Sequence, residues 1–254
     1  MNRIPLFSVA AAFIAALFAG APDASASIDA AREAFQKRDL PRAAALLEPL
    51  TAEGTTDAAA CHLASQVWLE QKDSARAVTL AQKAVTLDGG NAEYFTQLGL
   101  ALSRRINEVG FMQKAAMSGK LRKAFERAVE LDPKNLTALI GLTRYYVNAP
   151  EIAGGSLEKA KACAEKLVAL DAFVGNMELG SIAEKQEQPE VALNHYQAAA
   201  ELKPDHVGAL ARCGRVLGRL GRTEEARARF EAALKLDPNN EGVKRAQAAL
   251  RPAK

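Results

Sequence analysis

The sequence predicts an all-α protein: a stack of about six helical hairpins followed by a closing helix. Three observations carry this reading. Apolar and small residues recur at three- and four-residue intervals, the period of a helix. Segments of about 34 residues align on one another along most of the chain. Most of these segments close on Leu-Asp-Pro or a variant, where proline ends a helix because it has no N–H to continue it.

Taken in order, residues 1–26 read as a secretory signal. Arg3 supplies a basic start, Ile4 to Phe18 is almost wholly apolar, and Ala24-Ser25-Ala26 is a small-x-small cleavage site. The alternative is an uncleaved anchor, but the apolar run falls short of the roughly 20 residues a spanning helix needs and contains Pro5 and Ser8. A less regular first copy covers 27–57, with Phe35, Asp39, Ala43 and Leu47. The second, 58–91, places Trp68, Ala77, Ala84 and Leu87 in equivalent positions. The third, 92–135, carries an insert over 104–123; the fourth, 136–172, carries a shorter one over 149–156. The clearest copies are 173–206 and 207–240, where Gly180 aligns with Gly214, Tyr196 with Phe230 and Pro204 with Pro238. The tail, 241–254, has Val243, Ala246 and Leu250 at helical spacing and reads as a cap over the last apolar face.

Within each copy a break such as Lys72-Asp73-Ser74 or Leu220-Gly221-Arg222 separates two helical runs. Small residues are expected where the two helices cross, with the aromatic at Tyr196 or Phe230 filling space toward the next hairpin. One hairpin cannot bury its own apolar face, so the stack is the folding unit.

Composition excludes several classes. The 254 residues carry 33 Lys+Arg against 30 Asp+Glu, a net charge of +3, too balanced for bulk nucleic-acid binding. Three cysteines do not make a disulfide framework, and three dispersed histidines offer little for metal or acid–base chemistry. No catalytic set and no cofactor motif stands out, so the chain reads as non-catalytic. Cys61, Cys163 and Cys213 fall at positions expected to be packed, as small apolar groups.

The 34-residue register, its small residues and its closing proline resemble the tetratricopeptide repeat family over residues 27–240. That resemblance implies a right-handed superhelical solenoid whose first helices line a concave groove that binds a peptide or protein. By position, the groove residues are Arg104, Ile140, Arg144, Asn148, Met177, Lys185, Arg215 and Arg219, with Glu70, Glu93 and Glu184 as the opposing charges. Arginine grips carboxylates bidentately, so an acidic segment or a free C-terminus would suit this face; a merely solvated charged face is the alternative. The Lys/Asn clamp of members that bind chaperone tails is not reproduced, because His62 and Gln66 stand where it would begin. A narrower similarity, through Lys114…Gly119-Lys120, Glu130-Leu131-Asp132-Pro133 and Ala149-Pro150…Gly154-Gly155-Ser156, is to a group of bacterial envelope tetratricopeptide proteins and brings no assigned activity. Export together with that similarity suggests the periplasm.

The insert 104–123 sets Phe111, Met112, Met117 and Leu121 among Arg104, Arg105, Lys114, Lys120, Arg122 and Lys123. Such a basic amphipathic segment either lies on an anionic membrane or grips a partner, or its apolar side packs on the neighbouring hairpins. Gly154-Gly155-Ser156 lacks the spacing and lysine of a phosphate-binding loop, so Ser156 reads as the cap of the following helix.

Overall fold

The computed structural model describes residues 24–250. The expected signal segment therefore lies outside the described residues up to residue 23. Among the described residues all regular structure is helical: thirteen α-helices and two short 3-10 turns. They form two compact units divided after Leu87.

The first unit holds α1 (Ala24–Gln36), α2 (Leu40–Leu47), α3 (Ala58–Glu70) and α4 (Ser74–Leu87). The triplet Ala24-Ser25-Ala26 forms the first turn of α1. Helices α1 and α2 pair, as do α3 and α4, and α2 lies against α3. Ile28, Ala31, Leu47, Leu63, Ala64 and Val67 are buried between them. Both hairpins turn through a left-handed residue, Arg38 at φ +63° and Lys72 at φ +67°. The next N–H closes back on the helix, Asp39 to the Ala34 carbonyl and Asp73 to that of Trp68, each at 2.9 Å. These bonds satisfy carbonyls that the helix end would otherwise leave without donors.

The second unit continues with α5 (Ala92–Arg105), α6 (Phe111–Leu131), α7 (Leu136–Asn148), α8 (Leu157–Leu170), α9 (Ala172–Lys185), α10 (Pro189–Leu202), α11 (Val207–Arg219), α12 (Thr223–Leu236) and α13 (Glu241–Ala248). Each helix packs on the next. Asn91, Asn135, Asp171, His206 and Asn240 each cap the helix that follows, their side chains accepting a backbone N–H. At Asp171 the same residue ends α8 and caps α9, which sharpens the register there. Asn135 is buried and also donates to Thr96 Oγ1 (3.0 Å) and Glu93 Oε1 (3.1 Å), tying the start of α7 to α5. Val243 of α13 is buried in the core formed by α9–α12, and Ala246 and Leu250 pack against it.

One pair of positions recurs at every crossing. A Cβ on Gly180 would fall 2.4 Å from the Tyr196 ring, and one on Gly214 2.8 Å from Phe230. Gly99 stands in the same relation to Phe125 at 2.4 Å, and Gly141 of α7 closes on that ring from the other side, also at 2.4 Å. The aromatics therefore lie on the glycine of their own hairpin rather than reaching only to the next. Where the first helix has a larger residue here, the second has a smaller one: Ala31 with Leu47, Ser65 with Ala81, Thr143 with Ala164, all buried. Ser65 adds a hydrogen bond to the Ala77 carbonyl across its hairpin (2.8 Å).

Both inserts have defined shapes. Helix α6 has 21 residues, and its added length extends the N-terminal end beyond the connection 106–110. In the fourth hairpin Pro150 follows α7, then a 3-10 turn at Glu151–Ala153 and Gly154 at φ +90°. Ser156 Oγ accepts from Lys159 N at 3.2 Å and caps α8. The inserts touch: the Tyr145 hydroxyl donates to the Ala153 carbonyl (2.6 Å) and lies 3.1 Å from Ser118 Oγ on α6.

The crossing pair gives a direct test. Gly214→Ala is expected to cost about 1–3 kcal/mol by overpacking. Combining it with Phe230→Leu recreates the Ala31/Leu47 pairing and should cost less than the sum of the single changes. Chemical denaturation of the four variants measures this, and strict additivity would refute the coupling.

Candidate functional site

The expected groove residues occupy the second unit, on α5, α7, α9 and α11. Helices α5 and α7 are in contact, and so are α7 and α9. Arg104 and Lys185 are exposed near the ends of α5 and α9, Ile140 is half-buried on α7, and Met177 is half-buried against the core of the last hairpins. Asn148 is exposed and donates to the Arg144 carbonyl at 2.7 Å.

The arginines are partly engaged within the protein. Arg144 Nε and Nη2 both donate to Glu178 Oε1, at 2.9 and 2.7 Å. The Glu178 side chain is only 8% exposed, against 65% for Arg144. Arg144 therefore serves first to neutralise a buried carboxylate. Sequence reasoning passed over Glu178. The available signal was its spacing of 34 residues from Arg144, one repeat further along.

A second cluster surrounds Glu184 at the end of α9. Arg212, Arg215 and Arg219, all from α11, lie 3.6, 3.5 and 3.4 Å from its carboxylate oxygens. The Tyr196 hydroxyl donates to Glu184 Oε2 at 2.6 Å and accepts from Arg212 Nη1 at 2.9 Å. Burial, then the bond to Glu184, raises the Tyr196 phenol well above its ordinary value, so it remains a donor. Three guanidiniums share one carboxylate, and two are exposed at Arg215 and Arg219. This face thus holds positive charge beyond what its own acids neutralise. Arg212 and Tyr196 were not among the expected site residues. Their link needs the fold, because the second-helix aromatic meets the first helix of the next hairpin only once the two are stacked, its hydroxyl bonding Arg212 and the guanidinium lying 5.4 Å from the ring centroid.

The inserts contribute a different surface. Leu121 is buried and Met117 half-buried, so part of the apolar side packs inward. Phe111 and Met112 are 82% and 80% exposed, and Ile152 in the second insert is 99% exposed. A cleft of about 740 Å³ opens between α5, α6 and α7 beside them.

The remaining chemistry-bearing groups are quiet. Burial pushes the His62 imidazole down to about 4, so it is neutral at physiological pH. The His195 ring is also lowered, by burial and then Lys161, and bonds Asn176 (3.0 Å). Burial raises all three thiols, Cys213 to about 11, so they stay protonated. Among the described residues no group of three His, Cys, Asp or Glu is placed to hold a metal ion, and no helix is long and apolar enough to cross a membrane.

Tetratricopeptide repeat family models match residues 28–92 and 183–250, together just over half of the chain. The chain belongs to the tetratricopeptide repeat family. Solved structures agree on the fold. PilW, a widely conserved type IV pilus biogenesis factor, is similar with a TM-score of 0.72 and 16% identity, covering 87% of this chain and 97% of that one. PilF of Pseudomonas aeruginosa has a TM-score of 0.65 and 16% identity, covering 89% and 96%. YrrB, a tetratricopeptide protein with an unusual peptide-binding site, has a TM-score of 0.52 and 17% identity, covering 80% and 97%. No curated protein matches the chain in sequence.

The Arg144–Glu178 pair yields a prediction. Arg144→Ala strands a buried carboxylate and should cost about 1–2 kcal/mol, discounted for the exposed arginine. Adding Glu178→Gln should restore most of that loss in a denaturant titration. If Arg144→Ala leaves stability unchanged, the pair contributes nothing to the fold.

Proposed function

We propose that the chain is a non-catalytic scaffold of the bacterial cell envelope that binds a protein or peptide on the face formed by α5, α7, α9 and α11. The observation that carries this is the surplus of guanidinium around Glu184, next to the exposed Lys185. Exposed arginines already held near a carboxylate are pre-positioned for a second one, so an acidic segment or a chain terminus suits them. The envelope assignment rests on the apolar segment 4–18 and its small-x-small sequence at 24–26. Membership of an interaction-repeat family supports the scaffold role, and PilW and YrrB offer precedents in pilus biogenesis and peptide binding.

Arg144 is a poor probe of this face because its substitution disturbs Glu178. A photo-crosslinker at Lys185 should capture a discrete protein from an envelope extract of the native host. Capture should fail when the crosslinker sits at exposed Glu231 on α12, and when Arg215→Glu and Arg219→Glu are introduced together. Equal capture at Lys185 and Glu231 would overturn the assignment.

A second reading is supported by the exposure of Phe111 and Met112 at the free start of α6, close to Lys114 in sequence. In it the insert docks on an anionic membrane surface, the aromatic and thioether entering the interface. The chain should then float with anionic vesicles at low salt, and Phe111→Asp with Met112→Asp should abolish this. Failure of the unaltered chain to float rejects the reading.

A further inference from the structure

The cleft between α5, α6 and α7 exists because two hairpins depart from the regular turn. In the fifth hairpin Glu187 alone, at φ +59°, reverses the chain and brings α10 straight back onto α9. In the third, α5 runs instead into the connection 106–110, and α6 begins well before it reaches the core. In the fourth, Pro150 ends α7, and the 3-10 turn closes over it through Tyr145 and Ala153. The space left is about 740 Å³, inside the range of about 300–1,000 Å³ that small-molecule sites occupy.

Its lining combines two chemistries. Leu100, Ile106, Leu121, Phe125, Ile140 and Pro150 supply an apolar wall. Lys114 and Arg144 are the charged residues that line it, and no carboxylate does. The Arg144 charge is met by Glu178 outside the cleft. Lys114 takes part in none of the ion pairs among the described residues. One positive charge therefore faces an apolar wall with no acid to answer it. Asn107 and Asn148 also line the space, each held in place by donating to the carbonyl four residues back, Ser103 (3.0 Å) and Arg144 (2.7 Å). The cleft at α10–α12, about 660 Å³, offers no such combination, since Glu201 lines it along with Arg229 and Lys235.

From this geometry we infer that the cleft binds a small amphipathic anion: an apolar chain of fatty-acid size against Ile140 and Leu121, with its single acidic headgroup on Lys114. A carboxylate and a phosphate monoester share this chemistry. The cleft shares Ile140, Arg144 and Asn148 with the α5–α7 part of the proposed partner face but none of the arginine cluster around Glu184 that carries the scaffold reading, so its failure would leave that reading standing.

The test uses the full chain and 11-(dansylamino)undecanoic acid, whose emission shifts to the blue in an apolar site. Saturable binding in the micromolar range is expected. Lys114→Glu should weaken it about tenfold, the scale of a lost charge-assisted contact, while the probe's methyl ester binds that variant and the original chain alike. Ile140→Trp should fill the cleft and abolish binding of acid and ester; Leu100→Trp is the second variant, and circular dichroism checks that each is folded. Displacement by dodecanoate would assign a free fatty acid as the preferred source, and stronger displacement by lysophosphatidic acid a lipid headgroup. Absence of a saturable shift would overturn the inference, as would full binding by folded Lys114→Glu and both tryptophan variants. Displacement by a peptide with an apolar C-terminal residue, but not by dodecanoate, would also overturn it in favour of a peptide seat.

Discussion

How closely two helices approach depends on the residues at the point where they cross, and each hairpin in this chain is built around one such point. The volume there is shared rather than fixed on one side. Glycine on the first helix faces a phenyl or phenol ring on the second in three hairpins. Alanine goes with leucine in another, and serine and threonine with alanine in the remaining two. Close packing leaves no room for both members to be large. The regular stack, and hence which side chains are left facing outward from the first helices, follows from this reciprocity.

That constraint also explains how much of the architecture the sequence made readable. Gly180, Gly214, Tyr196 and Phe230 repeat in step, so the helices and their order can be read directly from spacing. The family resemblance placed Arg144 and Arg215 on the groove face, but not what neutralises them. Arg144 and Glu178 lie a repeat apart on neighbouring first helices, and only the stack brings them into contact. Phe111 and Met112 show a different limit. Helical periodicity marks an apolar side, yet says nothing about whether a neighbouring helix is there to cover it, and at the start of α6 the body of the protein has not been reached. The cleft registered in the sequence only as excess length.

The charged face is anchored to the core rather than laid over it. The Tyr196 ring packs on Gly180 while its hydroxyl bridges Glu184 and Arg212. A single side chain thus sets helix spacing with its ring and orients an ionic cluster with its oxygen. Glu184 and Arg212 are held by it, and Arg215 and Arg219 stand exposed beside that fixed carboxylate.

The contact among Ser118, Tyr145 and Ala153 couples the two insertions through a single phenol. Ser118 comes with the extra turns of α6 and the Ala153 carbonyl with the 3-10 turn, and the Tyr145 hydroxyl on α7 joins them, so loss of either insert would leave that buried phenol with one partner in place of two. Grafting one insert into a plain repeat array without the other would therefore leave the phenol half-satisfied, and transferring both with Tyr145 carries the whole contact across.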